Sequence, residues 1–283
     1  MRAGRLLSLL WSAFGVASCL ALAYSVLGWL SPALLCRAGV KDECADASLQ
    51  ALEGEPPNGA AAFRWSSRGC ELGSALSCNN LGVCYQRGAG VTRNATSARR
   101  EYRKACELGN GLGCYNDAAL LADSGEPDAD ARARRGFERA CELQSAPGCR
   151  SALRRSADLT QALSLAERGC KLDDPPACAS KALLLAALRP QSPEARESAA
   201  ALTLPCSHDE PVSCGVLGML YAAGVPMSRD LSRATELLAR ACRHGSKPAC
   251  ELGKSETLQR MPELLPQVAR SMVGLVPELP PAL

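Results

Sequence analysis

Residues 70–91, Cys70-Glu-Leu-Gly73-Ser-Ala-Leu-Ser-Cys78-Asn-Asn-Leu81-Gly82-Val-Cys84-Tyr85-Gln-Arg-Gly88-Ala-Gly90-Val91, decide how the chain is read. Two cysteines stand eight residues apart with Gly73 between them, and Leu81-Gly82-x-x-Tyr85 follows. The same spacing recurs at Cys36/Cys44, Cys106/Cys114, Cys141/Cys149, Cys170/Cys178, Cys206/Cys214 and Cys242/Cys250, which uses fourteen of the sixteen cysteines. Successive pairs begin 34, 36, 35, 29, 36 and 36 residues apart. A period of this size marks a stack of helical hairpins, each of which buries its apolar face only against its neighbours.

Composition agrees with close helix packing. Apolar residues make up 47% of the chain but aromatics only 4%, so small side chains carry much of the buried pattern. Thirty-two basic and twenty-nine acidic residues are interspersed, and this balance gives no basic field for a nucleic acid. Paired cysteines at constant spacing point to disulfides made in an oxidising compartment.

The N-terminus suggests such a compartment. After Arg2 and Arg5 the run from Leu6 to Leu35 contains no charged residue. About 20 apolar residues suffice to cross a bilayer. The expectation is an uncleaved signal anchor spanning the lipid bilayer through residues 6–35. It gives a single-pass protein of a bacterial inner membrane with the repeats in the periplasm. Two alternatives stay open: a lipoprotein anchored at Cys19, within Val16-Ala17-Ser18-Cys19, or a secreted chain cleaved near Ala21 or Ala23. The resulting organisation is a membrane anchor at 1–35, a repeat solenoid at 36–253, and a capping helix with a Pro-rich tail at 254–283.

Along the solenoid the helices are expected near 42–52, 60–71, 74–86, 95–108, 111–121, 129–143 and 147–155, then from Asp158 and from Pro175, and near 193–204, 212–222 and 231–243. Asn94 and Asp230 are placed as N-caps. The fold class is therefore all-α, an α/α solenoid of disulfide-bridged helical hairpins after an N-terminal transmembrane helix.

On one continuous helix two cysteines eight residues apart would lie about 12 Å from each other, given a rise of 1.5 Å per residue. Gly73, Gly109 and Pro175 break the helix between the partners and make a bridge feasible. The expected bridges are Cys36–Cys44, Cys70–Cys78, Cys106–Cys114, Cys141–Cys149, Cys170–Cys178, Cys206–Cys214 and Cys242–Cys250. Cys36–Cys44 is the weakest of them if Cys36 leaves a membrane helix. Each closes a short loop and contributes at most about 2 to 3 kcal/mol before strain. Zinc would need closely spaced thiolates gathered four at a time, and the chain holds only His208 and His244, so no metal ligand is assigned. Cys84 reads as a small thiol packed between helices.

Leu81-Gly82-x-x-Tyr85 with Gly88-x-Gly90-Val91-x-x-Asn94-x-x-x-Ala98 resembles the Sel1-like repeat, as does Leu217-Gly218-x-x-Tyr221 with Gly224-Val225-Pro226-x-x-x-Asp230-x-x-x-Ala234. Lys104-Ala105-Cys106-Glu107-Leu108-Gly109 through Cys114 is similar to the cysteine-rich branch of that family, the Helicobacter cysteine-rich proteins. The resemblance implies a superhelix serving as a binding scaffold for an envelope protein or peptide. It also implies, as an alternative, a β-lactamase-like or penicillin-binding enzyme. None of the six lysines has a serine three residues before it, and Lys-Thr-Gly is missing, so the acylation pair of such enzymes has no counterpart. Asp173/Asp174 and Asp128/Asp130 fall at turns or helix starts, where capping accounts for them, and Arg132, Arg134, Arg135 and Arg139 read as an exposed face. No catalytic residue and no cofactor is assigned. The reading is a membrane-tethered extracytoplasmic repeat scaffold for protein–protein interaction, with the enzyme and a structural repeat protein lacking any small-molecule ligand as alternatives.

The spacing generates a direct test. Non-reducing peptide mapping of the purified protein should return the seven bridges with Cys19 and Cys84 unpaired. Free thiols throughout, or bridges between non-adjacent pairs, would refute the stapled-hairpin reading.

Overall fold

A computed structural model describes residues 31–156, 158–253 and 255–272, and every regular element in them is a helix. The chain divides into two compact units, Met1–Glu101 and Tyr102–Leu283. In the first, α1 (Pro32–Arg37), α2 (Lys41–Glu53), α3 (Gly59–Glu71) and α4 (Ala75–Arg87) lead to α5 (Ala95–Glu107), within which the boundary falls. The second continues through α6 (Gly111–Ala122), α7 (Ala129–Glu142), α8 (Ala146–Arg154), α9 (Leu159–Cys170) and α10 (Pro175–Leu188). It ends with α11 (Pro193–Ala201), α12 (Thr203–Ser207), α13 (Pro211–Ala223), α14 (Leu231–Arg243), α15 (Lys247–Leu252), α16 (Ser255–Gln259) and α17 (Met261–Met272).

The junctions between hairpins share one backbone design. Three residues after the first cysteine of each pair the chain turns left-handed, at Gly39, Gly73, Gly109, Gln144, Asp173, Asp209 and Gly245, with φ between 55° and 95°. At the second junction Gly73 N–H donates to Cys70 O at 3.2 Å and Ser74 N–H donates to Gly69 O at 2.9 Å. These are the two bonds of a Schellman motif, which satisfy carbonyls that the helix end would otherwise leave unpaired. The next residue then caps the following helix: Ser74, Asn110, Ser145, Asp174, Glu210 and Ser246 each accept a backbone N–H from its first turn. Two adjacent residues thus end one helix and start the next.

This design brings the cysteines together. In each pair the first lies in the last turn of one helix and the second lies four residues beyond the cap of its successor. Their Cα atoms are 4.3 to 4.8 Å apart, at the short end of the disulfide range. Among the described residues seven bridges join α1 to α2, α3 to α4, α5 to α6, α7 to α8, α9 to α10, α12 to α13 and α14 to α15. At five of the seven junctions the residues just before both cysteines are glycine, alanine or serine, which lets the helices cross closely. A Cβ on Gly113 would sit 2.6 Å from Ala105 Cβ and 2.9 Å from Tyr102 O, and one on Gly169 would sit 2.7 Å from Ala177 Cβ. Small residues fill much of the core: Ala62, Ala98, Ala105, Ala133, Ala140, Ala166, Ala182 and Ala234 are fully buried.

Two sequence expectations are corrected. The transmembrane helix over residues 6–35 does not run to Leu35. Ser31 is extended (φ −63°, ψ 144°) and Pro32 stands at the start of the six-residue α1. Proline disfavours helical backbone in the residue before it and lacks the N–H that would continue a helix. Among the described residues no helix is long and apolar enough to cross a membrane. The bilayer contact through 6–35, the membrane tether and the single-pass inner-membrane placement rested on that span and fall with it. Residues 6–30, including Cys19, Ala21 and Ala23, lie outside the described residues. Cys36 belongs to α1 instead, whose end is held by Arg68: its Nε donates to Cys36 O at 2.9 Å and its Nη2 donates to Arg37 O at 2.8 Å.

The helix expected over 193–204 is in fact two, α11 and α12, broken at Leu202. Pro205 has no N–H to offer the carbonyl of Ala201, and its ring crowds that carbonyl. Leu202 turns fully into the core at the break. Gly113→Val tests the crossing geometry. Two further methyl groups where a single Cβ already meets backbone should destabilise the protein by about 1–3 kcal/mol in urea unfolding. A Gly113→Val variant of wild-type stability would show that the crossing is looser than described.

Candidate functional site

The fourteen bridged cysteines form seven separate crossings rather than one site. Cys84 is fully buried, with Ser66 Oγ 3.9 Å away, and burial pushes its thiol pKa up despite that contact. A buried thiol held in the protonated form is a poor nucleophile. Asp173 is the left-handed residue of its junction, and Asp174 caps α10 through Ala177 N–H at 3.1 Å. Burial raises the Asp174 carboxyl above its ordinary value, offset in part by Arg150 at 3.5 Å. Asp128 sits before α7 in left-handed backbone and its side chain makes no cap, while Asp130 lies in the first turn of that helix. Arg132 pairs with Glu126 and Arg139 with Glu142, each at 2.9 Å, and Arg134 and Arg135 are exposed. Among the described residues no group of three or more His, Cys, Asp or Glu side chains could hold a metal ion.

The feature suited to a ligand lies in the second unit, between α10, α13 and the turn into α15. It is a groove of about 430 Å³, within the range of ligand pockets. Leu183, Val212, Val216, Met219, Pro248 and Leu252 line it, with His244, Ser246 and Lys247 among its polar groups. Gly215 also lines it. A glycine inside a helix destabilises by roughly 0.5–1 kcal/mol relative to alanine. Gly113, Gly148 and Gly169 are required by close helix approach, but a Cβ on Gly215 would meet only Ala241 and Ala249 Cβ at 3.8 and 3.9 Å, ordinary contacts.

An ion-pair network adjoins the groove. Arg240 Nε donates to Asp209 Oδ1 at 2.6 Å, its Nη2 donates to Ser207 O at 3.1 Å, and His244 Nε2 stands 3.4 Å from the same carboxylate oxygen. Asp209 is the left-handed residue of one junction and His244 belongs to the next, so the network ties successive junctions together. The Arg240 hydrogen bond, helped by the charges of Arg240, His244 and Arg243, holds the Asp209 carboxyl below the usual carboxylate range. The cysteine spacing pointed to both junctions. Val212 and residues 244–249 fall between paired cysteines, but no spacing in the sequence joins them with Leu183 into one cleft.

A model of the Sel1 repeat matches residues 47–74, 75–110 and 211–246. The fold is that of the Sel1-repeat family. A protective antigen present in uropathogenic Escherichia coli strains, displaying an SLR fold, superposes with a TM-score of 0.62 at 16% identity, covering 84% of this chain and 57% of its own. The chain thus spans little more than half of that relative. A Sel1 repeat protein from Oxalobacter formigenes gives a TM-score of 0.61, also at 16% identity, covering 80% of this chain and 96% of its own. At such identities the likeness is one of fold alone. No curated protein matches the chain. The third matched Sel1 repeat, 211–246, contributes α13, α14 and the turn that borders the groove, whereas α10 comes from the stretch between matched repeats.

Two outcomes follow. Cys84 should resist alkylation by iodoacetamide in the native protein and react once urea unfolds it; rapid native labelling would contradict its burial. Because the Asp209 carboxyl is lowered, its stabilisation is fully present above the unfolded value near about 3.9 and is lost as pH falls through the lower folded value. Asp209→Asn should therefore flatten the acid limb of a melting-temperature profile, and an unchanged limb would count against the Arg240 pairing.

Proposed function

We propose that the repeats over 36–253, closed by the segment 254–283, serve as a scaffold that binds a protein partner in an oxidising compartment. The groove between α10, α13 and α15 is its point of contact. The observation that carries this reading is the groove itself, an apolar cleft held open between disulfide-fixed junctions. Fixed junctions matter because a rigid site loses little entropy when a partner docks. The polar groups of the groove accompany an apolar lining, the arrangement in which an anchoring side chain is buried and its backbone stays at the rim. The eight-residue cysteine spacing supports placing the chain in the cysteine-rich branch of Sel1-repeat proteins.

Site-specific photocrosslinking in intact cells tests the scaffold reading. A photoreactive residue at Lys247 should give a defined protein adduct that one at exposed Arg134 does not. Identical adducts at both positions, or none at either, would refute the proposal.

A further inference from the structure

We propose that the groove selects a peptide segment in which an apolar anchor side chain has a carboxylate beside it. This rests on the scaffold reading above and adds the chemistry of the partner. The anchor follows from Gly215. Its glycine is not required by helix approach, since a Cβ there meets nothing closer than 3.8 Å. With only hydrogen at Gly215, the α13 wall of the groove is backbone flanked by Val212, Val216 and Met219, an apolar surface suited to the side chain of an incoming leucine, methionine or phenylalanine.

The carboxylate follows from charge. His244 and Lys247 are exposed members of the lining, and no acidic residue lines the groove. Among the carboxylates just outside the lining, Asp209 pairs with Arg240 and His244, Glu210 accepts the Val212 and Ser213 N–H groups as the cap of α13, and Glu251 lies one turn beyond Lys247 on α15. Lys247 is the exposed cationic group within the lining that a partner's carboxylate would meet. A basic segment would meet Lys247 with like charge.

The experiment uses full-length protein and two fluorescein-labelled synthetic octapeptide pools. Both carry Leu, Met or Phe at the fourth position; one continues with Asp or Glu and the other with Lys or Arg. Anisotropy titration should show the acidic pool binding at least tenfold more tightly, with the preference reduced by added salt. Lys247→Glu should abolish or invert the preference while apolar binding persists. Gly215→Leu should remove binding of both pools, and the partly exposed change Val212→Lys should weaken binding at least tenfold, which keeps the test open if Gly215→Leu proves unstable. Equal binding of the pools, or binding undiminished in Gly215→Leu and Val212→Lys, would overturn the inference. Self-association lost in the groove variants, without peptide binding, would assign the groove to a second copy of the chain and overturn it too. A protein adduct at Lys247 without pool discrimination would sink this inference and leave the scaffold standing, whereas no adduct anywhere would sink the scaffold itself.

Discussion

A left-handed residue three positions after a cysteine is the constraint on which each junction depends. It directs two backbone N–H groups onto the carbonyls that would otherwise dangle at the helix end, and it delivers the next residue as the cap of the following helix. With the helix end and the next start fixed by hydrogen bonds, the two cysteines arrive at bonding distance without further adjustment. The disulfide secures a geometry that the backbone has already chosen. Four of the seven positions carry glycine, for which that backbone is unstrained. Gln144, Asp173 and Asp209 adopt it as well, and there the cap, the bridge and the close crossing together hold a conformation disfavoured for a residue with a Cβ.

The small residues beside the cysteines have a related origin. Helices that meet with Cα atoms under 5 Å apart leave no volume for large side chains at the crossing, so glycine, alanine and serine occupy it. Larger side chains pack away from the crossings, as do Tyr115 and Phe137, whose rings lie 5.7 Å apart. Gly215 is set apart from this group because a Cβ there would make only ordinary contacts, so close helix approach does not demand it.

Charge acts between junctions rather than inside them. Arg68 and Arg240 each stand two residues before a bridged cysteine and each reach back to the preceding junction, the first to carbonyls of α1 and the second to Ser207 O and Asp209. An arginine fork suits this task because its planar set of donors can satisfy several acceptors at once at a helix end. Arg229 does similar work in the last matched repeat, donating to Ala222 O at 3.0 Å and to Gln259 O at 2.7 Å, so that α16 is held to the turn before α14.

The cysteine period alone determined the helical-repeat class, because helix, turn and bridge recur together and only hairpins accommodate that rhythm. Asn94 and Asp230 were legible as caps for the same local reason, a short side chain placed just before an apolar period. The membrane helix was over-read: an uncharged run gives hydropathy without continuity, and the Ser31-Pro32 break is a backbone effect that hydropathy ignores. The break at Leu202 likewise comes from one proline inside an otherwise helical pattern. The left-handed turns at Gln144, Asp173 and Asp209 and the groove at Gly215 were decided only by tertiary structure. Neither a non-glycine residue's φ nor the contacts a glycine's missing Cβ would make are encoded locally, since both depend on what neighbouring helices bring within contact.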